Sequence, residues 1–283
     1  MAPAYSLLAG GYKTDINDKI SAAVIFDQPF GSNADYPEGL YASTTADLSS
    51  FATTLLVSYD ATDNIVVYGG AAAQSVSATA AVPLAGGYTI DADSDTGFGY
   101  VVGAAYQIPE MALRVALTYR SEISTSHDSL EFGAPTVTDL TTPQSLNLDF
   151  QSGVNQKTLV FGSIRWVNWA DFEIAPPTYP VNPLVGYDND SITYSLGVGR
   201  KLTDTLSGAL TVGYEESTGG TPSVLAPTDG NLSVGAGLTY TYGDLEITAG
   251  AKYIWLGDAS DPGVGTFTDN TAMAFGLKFA YAL

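Results

Sequence analysis

Apolar and polar residues alternate along much of this chain. In the stretch 113–123, Leu113, Val115, Leu117, Tyr119 and Ile123 fall on one side of an extended strand. Arg114, Ala116, Thr118, Arg120 and Glu122 fall on the other. Successive side chains of a strand point to opposite faces, so one face is apolar and the other polar. The pattern recurs. Ile192, Tyr194, Leu196 and Val198 oppose Ser191, Thr193, Ser195, Gly197 and Gly199. Leu206, Leu210, Val212 and Tyr214 oppose Ser207, Ala209, Thr211, Gly213 and Glu215. Leu232, Val234, Ala236, Leu238, Tyr240 and Tyr242 oppose Ser233, Gly235, Gly237, Thr239 and Thr241.

Alternation and β-branched or aromatic content predict about thirteen strands, near 4–13, 18–29, 46–59, 64–78, 96–107, 111–126, 144–154, 156–170, 188–201, 204–216, 230–242, 244–257 and 270–283. No amphipathic helix is predicted. The connections alternate in length. Short turns fall at 14–17, 60–63, 108–110, around Asn155, at 202–203 and at Gly243. Long connections fall near 30–45, 79–95, 127–143, 171–187, 217–229 and 258–269. In an antiparallel meander this puts every tight turn at one end, as in outer-membrane barrels with short periplasmic turns and long outer loops. The expected fold is therefore all-β, a transmembrane antiparallel β-barrel forming one domain over 1–283. Its apolar faces meet lipid and its small polar faces meet the lumen.

Composition fits that picture. Hydrophobic residues make up 45% of the 283 residues and charged residues only 14%, against about 25% charged in a typical soluble domain. No stretch reaches the roughly 18 consecutive apolar residues of a membrane helix, and closed barrels are the other structure that satisfies its backbone in lipid. Tyr5, Tyr12, Tyr59, Tyr106, Tyr242, Trp166, Trp169 and Trp255 are candidates for the interfacial aromatic girdles. The net charge of −20 makes nucleic acid a poor partner. The acids gather in predicted loops, as in Asp91-Ala92-Asp93-Ser94-Asp95, where solvated loop surface competes with divalent-cation binding. There is no cysteine, and no cofactor or metal site is expected. The one histidine, His127, is read as a solvated residue at a strand end, so no catalytic residues are assigned. In the last strand Phe275, Leu277, Phe279, Tyr281 and Leu283 share a face opposite Lys278. Such a strand resembles the signal read by barrel-assembly machinery.

Several segments, in order, resemble one family. Leu117-Thr118-Tyr119-Arg120-Ser121-Glu122 resembles the "TYRS" strand of FadL-type outer-membrane transporters of long-chain fatty acids and other hydrophobic compounds. Asn17-Asp18-Lys19-Ile20 leading to Gln28-Pro29-Phe30-Gly31 is similar to that family's early "ND-strand-PFG" segment. Pro143-Gln144-Ser145-Leu146-Asn147-Leu148 resembles the stretch where a Pro-rich segment re-enters the sheet. Trp166-Val167-Asn168-Trp169-Ala170-Asp171-Phe172 resembles its "W-x-x-W-x-x-F" strand end, and Tyr187-Asp188-Asn189-Asp190 the entry to later strands. The family barrel has fourteen strands and an N-terminal hatch. On these motifs the first strand here corresponds to the family's second, so the hatch is expected to be absent from this chain.

The resemblance implies an integral protein of a Gram-negative outer membrane, in contact with lipid and lipopolysaccharide. It implies capture of fatty acids or other hydrophobic compounds by outer loops, binding in the lumen and lateral release through the wall. The release point is a strand kink matched by Pro29, Phe30 and Gly31. Pro lacks an N–H and Gly weakens a ladder, although the same residues equally end a strand before a loop. A carboxylate requires a cation beside an apolar pocket. Of the lumen-facing cations, Arg120, Arg165 and Lys252 are candidates, with Phe161 beside Arg165. The alternative is an interior ion-pair network with Glu122, Glu215 or Glu246. Capture residues are sought in the 79–95 and 127–143 connections, at Val82, Leu84, Leu130 and Phe132, against a reading as ordinary mobile loops. A non-specific porin, a structural or adhesive barrel and, less readily, a lipid hydrolase are the other functional classes.

Overall fold

The computed structural model describes residues 3–181, 183–219, 223, 225, 228–261 and 265–282. Consecutive wall strands are β1 (Gly10–Asn17), β2 (Ile20–Asp27), β3 (Thr45–Asp60), β4 (Ile65–Val82), β5 (Tyr88–Ile108), β6 (Leu113–Arg120), β7 (Ser145–Asn155), β8 (Thr158–Val167), β9 (Ser191–Lys201), β10 (Leu206–Glu215), β11 (Asn231–Tyr242), β12 (Leu245–Leu256) and β13 (Thr271–Tyr281). Each pairs antiparallel with the next. The sheet curls round a lumen. One cavity is lined together by Asp27, Ala52, Gln74, Val101, Arg120, Ser145 and Arg165, which come from seven different strands.

The exterior shows where lipid ends. On β5, Phe98, Tyr100, Val102 and Tyr106 are exposed, and above them lie Asp93, Asp91 and Thr89. On β3 the outward series runs from Tyr59, Val57, Leu55 and Phe51 to Ser49 and Asp47. The boundary falls at one level, because Phe51 pairs with Ser75 and Ser75 with Thr96. From Phe98 to Tyr106 the apolar run is about 26 Å long at roughly 3.3 Å per residue, or about 20 Å along the membrane normal at a strand tilt of roughly 40°. An outer-membrane barrel carries an apolar band of about 25 Å. The faces predicted for β9, β10 and β11 hold, with Leu196, Leu210 and Leu238 more than half exposed at 56%, 63% and 53%.

Above the boundary the structure departs from the sequence pattern. Strands β3, β4 and β5 have 16, 18 and 21 residues. The predicted long connection at 79–95 is mostly strand, closed by the short turn Pro83–Ala85. Its acids are therefore on a sheet face, with Asp91 and Asp93 exposed. The predicted strand 111–126 breaks at Ser121-Glu122 and resumes as Ile123–Glu131, which forms a hairpin with Ala134–Thr142 in place of the expected loop. Phe132 and Gly133 turn that hairpin with positive φ of 49° and 78°, as a two-residue hairpin turn requires. The break flips the pattern. Ile123 is 6% exposed rather than lipid-facing with Leu117, and Glu122 lies exposed rather than in the lumen. Gly97 and Gly99 make room for this, since a Cβ at either would come within 2.6 Å of the Ile123 side chain.

Two buried apolar clusters sit above the boundary. One joins Val82, Tyr88, Ile90, Leu184 and Leu225. The other joins Val76, Leu140, Phe172 and Ile174. The smaller cluster of Val66, Ala105 and Ala116 is the one toward the turn end.

Candidate functional site

The site is built from the inside of the protruding sheet and the segment that folds back across it. Segment 168–190 leaves β8 and is clamped at its root by Asp190. That carboxylate accepts hydrogen bonds from Trp166 Nε1 at 2.9 Å and from Ala170 N at 3.1 Å. Farther along, Glu173–Ile174 pairs with Val185–Gly186, and Ile174 pairs with Leu140 of the hairpin. This brings Trp169, Phe172 and Tyr187 together, with ring centroids 5.1–6.0 Å apart. Trp169 was a candidate for the girdle. Instead it turns inward, because the chain bends immediately after β8.

Phe30 meets Trp169 from the opposite side, edge to face at 5.9 Å. It is placed by a break in the wall. Strand β2 ends at Asp27, pairing resumes at Gly31, and between them Ser50 Oγ accepts from Phe30 N and donates to Phe30 O. The ladder is short of one partner here, since Asp27 pairs with Ala52 and Gly31 with Ser49. Pro29 cannot donate to a ladder, and an unpaired stretch is where it costs least.

Three cavities meet at Phe30. An apolar chamber of about 290 Å³ lies above the boundary, lined by Leu48, Leu140, Trp169, Phe172, Ile174, Leu184 and Tyr187 among others. Below it a cavity of about 310 Å³ holds both Arg120 and Arg165, with Asp27, Gln74 and Tyr100. A cleft of about 90 Å³ lies between the break and the N-terminal residues Tyr5, Ser6 and Leu7. Phe30 lines all three, and Gly31, Ser32, Asp47 and Leu48 line both chamber and cleft.

Beside the chamber, outside its lining, polar groups hold the hairpin and segment 168–190 to β5. Glu131 is 1% exposed. Its Oε2 accepts from Tyr88 Oη at 2.9 Å, Thr178 N at 3.0 Å and Thr178 Oγ1 at 2.6 Å. Burial raises its proton affinity, but the bonds from Thr178 and Tyr88 outweigh burial and hold the carboxyl below its ordinary range. Burial, followed by the Glu131 bond, pushes the Tyr88 phenol up. Burial also raises Tyr187.

His127 is not the solvated loop residue expected. It is 2% exposed on the hairpin. Its Nδ1–H donates to the Asp93 carbonyl at 2.8 Å, and Nε2 lies 2.8 Å from Thr125 Oγ1. The Nδ1 bond ties the hairpin to β5, and the Nε2 contact lies within the hairpin strand itself.

The structure joins some predicted residues and separates others. Arg120 and Arg165 share a cavity. The expected ion-pair network is not formed: among the described residues, the pairs within 4 Å are Lys13–Asp15 and Lys201–Asp204. Phe161 lies lower, packed toward Gly197 and lining a separate cavity with Tyr68 and Arg114. Lys252 stands on β12 opposite Gly235 and Ala274, away from the arginines. Val82 is buried at 5%, while Leu84, Leu130 and Phe132 are about half exposed at the hairpin tips. The sequence reading missed Phe172, Ile174, Leu184 and Tyr187 as a lining. The available signal was apolar density inside a Pro-rich connection, which a solvated loop does not need.

A family model described as outer membrane protein transport protein (OMPP1/FadL/TodX) matches residues 2–281. The chain belongs to this family. Its members transport hydrophobic compounds across the Gram-negative outer membrane, the structural neighbours are Gram-negative outer-membrane β-barrels, and the family consists of transport channels. The fold is similar to that of a Pseudomonas aeruginosa FadL homologue, with a TM-score of 0.77 and 14% identity over 96% of this chain and 77% of the other. A monoaromatic hydrocarbon channel, CymD, matches with a TM-score of 0.68 and 14% identity over 99% and 83%. The Pseudomonas putida toluene transporter TodX gives 0.62 and 13% over 88% and 77%. No curated protein gives a significant match in sequence. With the family, the loop end is the extracellular end and the tight turns are periplasmic.

Proposed function

We propose that a hydrophobic compound enters the chamber from outside, rests its apolar body among Trp169, Phe172, Tyr187 and Leu140, and leaves sideways at Phe30. The observation that carries this reading is the triple junction, where one side chain and one break in the ladder separate chamber, arginine cavity and wall cleft. Release into the membrane requires rotation of Phe30 and loosening of its Ser50 bonds, with no water-filled step for the apolar body. A cargo with a carboxylate places it downward, where Arg120 and Arg165 supply paired donors. Long-chain fatty acids and compact aromatic hydrocarbons both satisfy these demands.

The test fills the opening. Gly31 has an ordinary backbone, and a Cβ there would meet only the Leu48 carbonyl at 3.5 Å. Gly31→Phe is expected to lower uptake by intact cells several-fold more than it weakens equilibrium binding in the chamber. Unchanged uptake would remove the lateral route. Arg120→Ala with Arg165→Ala is expected to weaken a fatty acid about tenfold, roughly 1.4 kcal/mol, and to leave its methyl ester unaffected. A porin reading draws support from the open polar cavity of about 700 Å³ at the turn end, and steady conductance in planar bilayers would favour it.

A further inference from the structure

The charge of this protein is distributed unevenly along the membrane normal. The described residues of segments 28–51, 75–97, 121–144, 168–190, 216–230 and 257–270 lie above the lipid boundary. They contain nineteen of the thirty acidic residues and none of the ten Lys and Arg. The one histidine in them, His127, is buried. The remainder of the chain, with ten basic and eleven acidic residues, is close to neutral. Asp47, Asp91, Asp93, Asp128 and Asp139 are exposed on the protruding sheet. Among the described residues, the lining of the chamber behind them holds no Lys or Arg. The first cations on the route are Arg120 and Arg165, below it.

We infer that the extracellular part is a charge filter that admits hydrophobic cargo in uncharged form and slows anionic amphiphiles on rate. This rests on the chamber being the entry site. A one-signed surface around an apolar mouth raises a repulsive potential that an anion must climb before any apolar contact is made. Fields of this kind change association rates by about 10- to 1,000-fold and are screened by salt over roughly 10 Å at 0.1 M. An uncharged compound of the same body feels no such barrier. The arginine pair lies too deep to offset the barrier at the mouth, so it influences retention rather than entry. The asymmetry therefore separates two properties: the sheet sets which molecules arrive quickly, and the arginines set how long an anionic end stays.

The experiment uses the whole protein in zwitterionic phosphatidylcholine nanodiscs. Its probes are parinaric acid and methyl parinarate at pH 8, with association followed by energy transfer from tryptophan. At 10 mM salt the acid is expected to associate at least tenfold more slowly than the ester. At 300 mM salt the acid speeds up and the ester does not change. Replacing Asp91, Asp93, Asp128 and Asp139 together by Asn narrows the low-salt gap and leaves the ester's rate alone. Equal low-salt rates for acid and ester, or a gap indifferent to salt, overturns the filter while the chamber stands. If the quadruple variant does not fold, the salt series on the unaltered protein decides. An ester that fails to bind overturns the chamber reading, and the filter with it.

Discussion

At the extracellular end Val76, Leu140, Phe172 and Ile174 pack to 8% exposure or less. At the periplasmic end Lys13, Asp15, Asp18, Asp60 and Arg114 line an open cavity of about 700 Å³. Both interiors are made by strands with the same two-residue alternation. The difference is what stands opposite the inward face. At the periplasmic end, among the described residues, the strands face one another across the lumen, and the inward positions there are polar. At the extracellular end, the hairpin 123–142 and the segment 168–190 cover the inward face, and apolar residues there lose water. One barrel thus holds a dry chamber and a wet lumen, and cargo meets the dry one first. Val66, Ala105 and Ala116 do not break this contrast, since they are small side chains filling the wall beneath Tyr68.

The contrast is broken most strongly at Glu131. Glu131→Ala leaves Tyr88 Oη buried without an acceptor and removes the bonds that tie Thr178 to the hairpin, at an expected local cost of about 1–3 kcal/mol. Amide exchange in 123–142 and 176–179 is expected to accelerate accordingly, with β9 to β12 unaffected. Protonation acts in the same direction. Because the folded form holds this carboxyl below its ordinary range, it contributes stability at neutral pH. That contribution is lost as pH falls below the usual Glu value of about 4.3. Hairpin exchange is therefore expected to rise in acid and to be flat above pH 5, and Glu131→Gln is expected to reduce the pH dependence to the part carried by Asp95, which accepts from Ser126 N of the hairpin.

A smaller effect is expected at Trp169, which touches Phe30, Phe172 and Tyr187. Trp169→Ala is expected to weaken an aromatic hydrocarbon by about 1–2 kcal/mol, counting lost ring contacts and area, as read by equilibrium binding. The smallest effect is expected at the wet end. The Lys13–Asp15 pair is 3.0 Å long but more than 60% exposed on both sides, where water and salt screen it. Lys13→Ala is expected to change neither melting temperature nor cargo affinity. A large loss there would mean that the two interiors are coupled.

Much of the barrel was legible because lipid enforces a rule that strands must obey one residue at a time. Leu196 faces out and Ser195 faces in regardless of what lies elsewhere, and the strand pairing is set by that alternation together with the short turns. Above the membrane the rule lapses. Asp91 and Asp93 alternate with Ile90 and Ala92 as any half-buried strand does, but their polarity also suits a loop. Nothing local distinguished the two. His127 reads as polar and exposed until Asp93 and Thr125 are brought to its two nitrogens.

The sequence by itself determined the wall: its strands, its two faces, its turn end and loop end, the charge that gathers outside, and the motifs that resemble the family. Only the tertiary structure decided the chamber. The break at Ser121-Glu122 reverses the faces of the strand beyond it, and segment 168–190 brings Trp169 to Phe30 across more than a hundred residues of chain. Alternation is a property of neighbours along a strand, set by backbone geometry. A chamber is a property of surfaces that meet only when the sheet has curled, and no short stretch of sequence records which surface its partner will be.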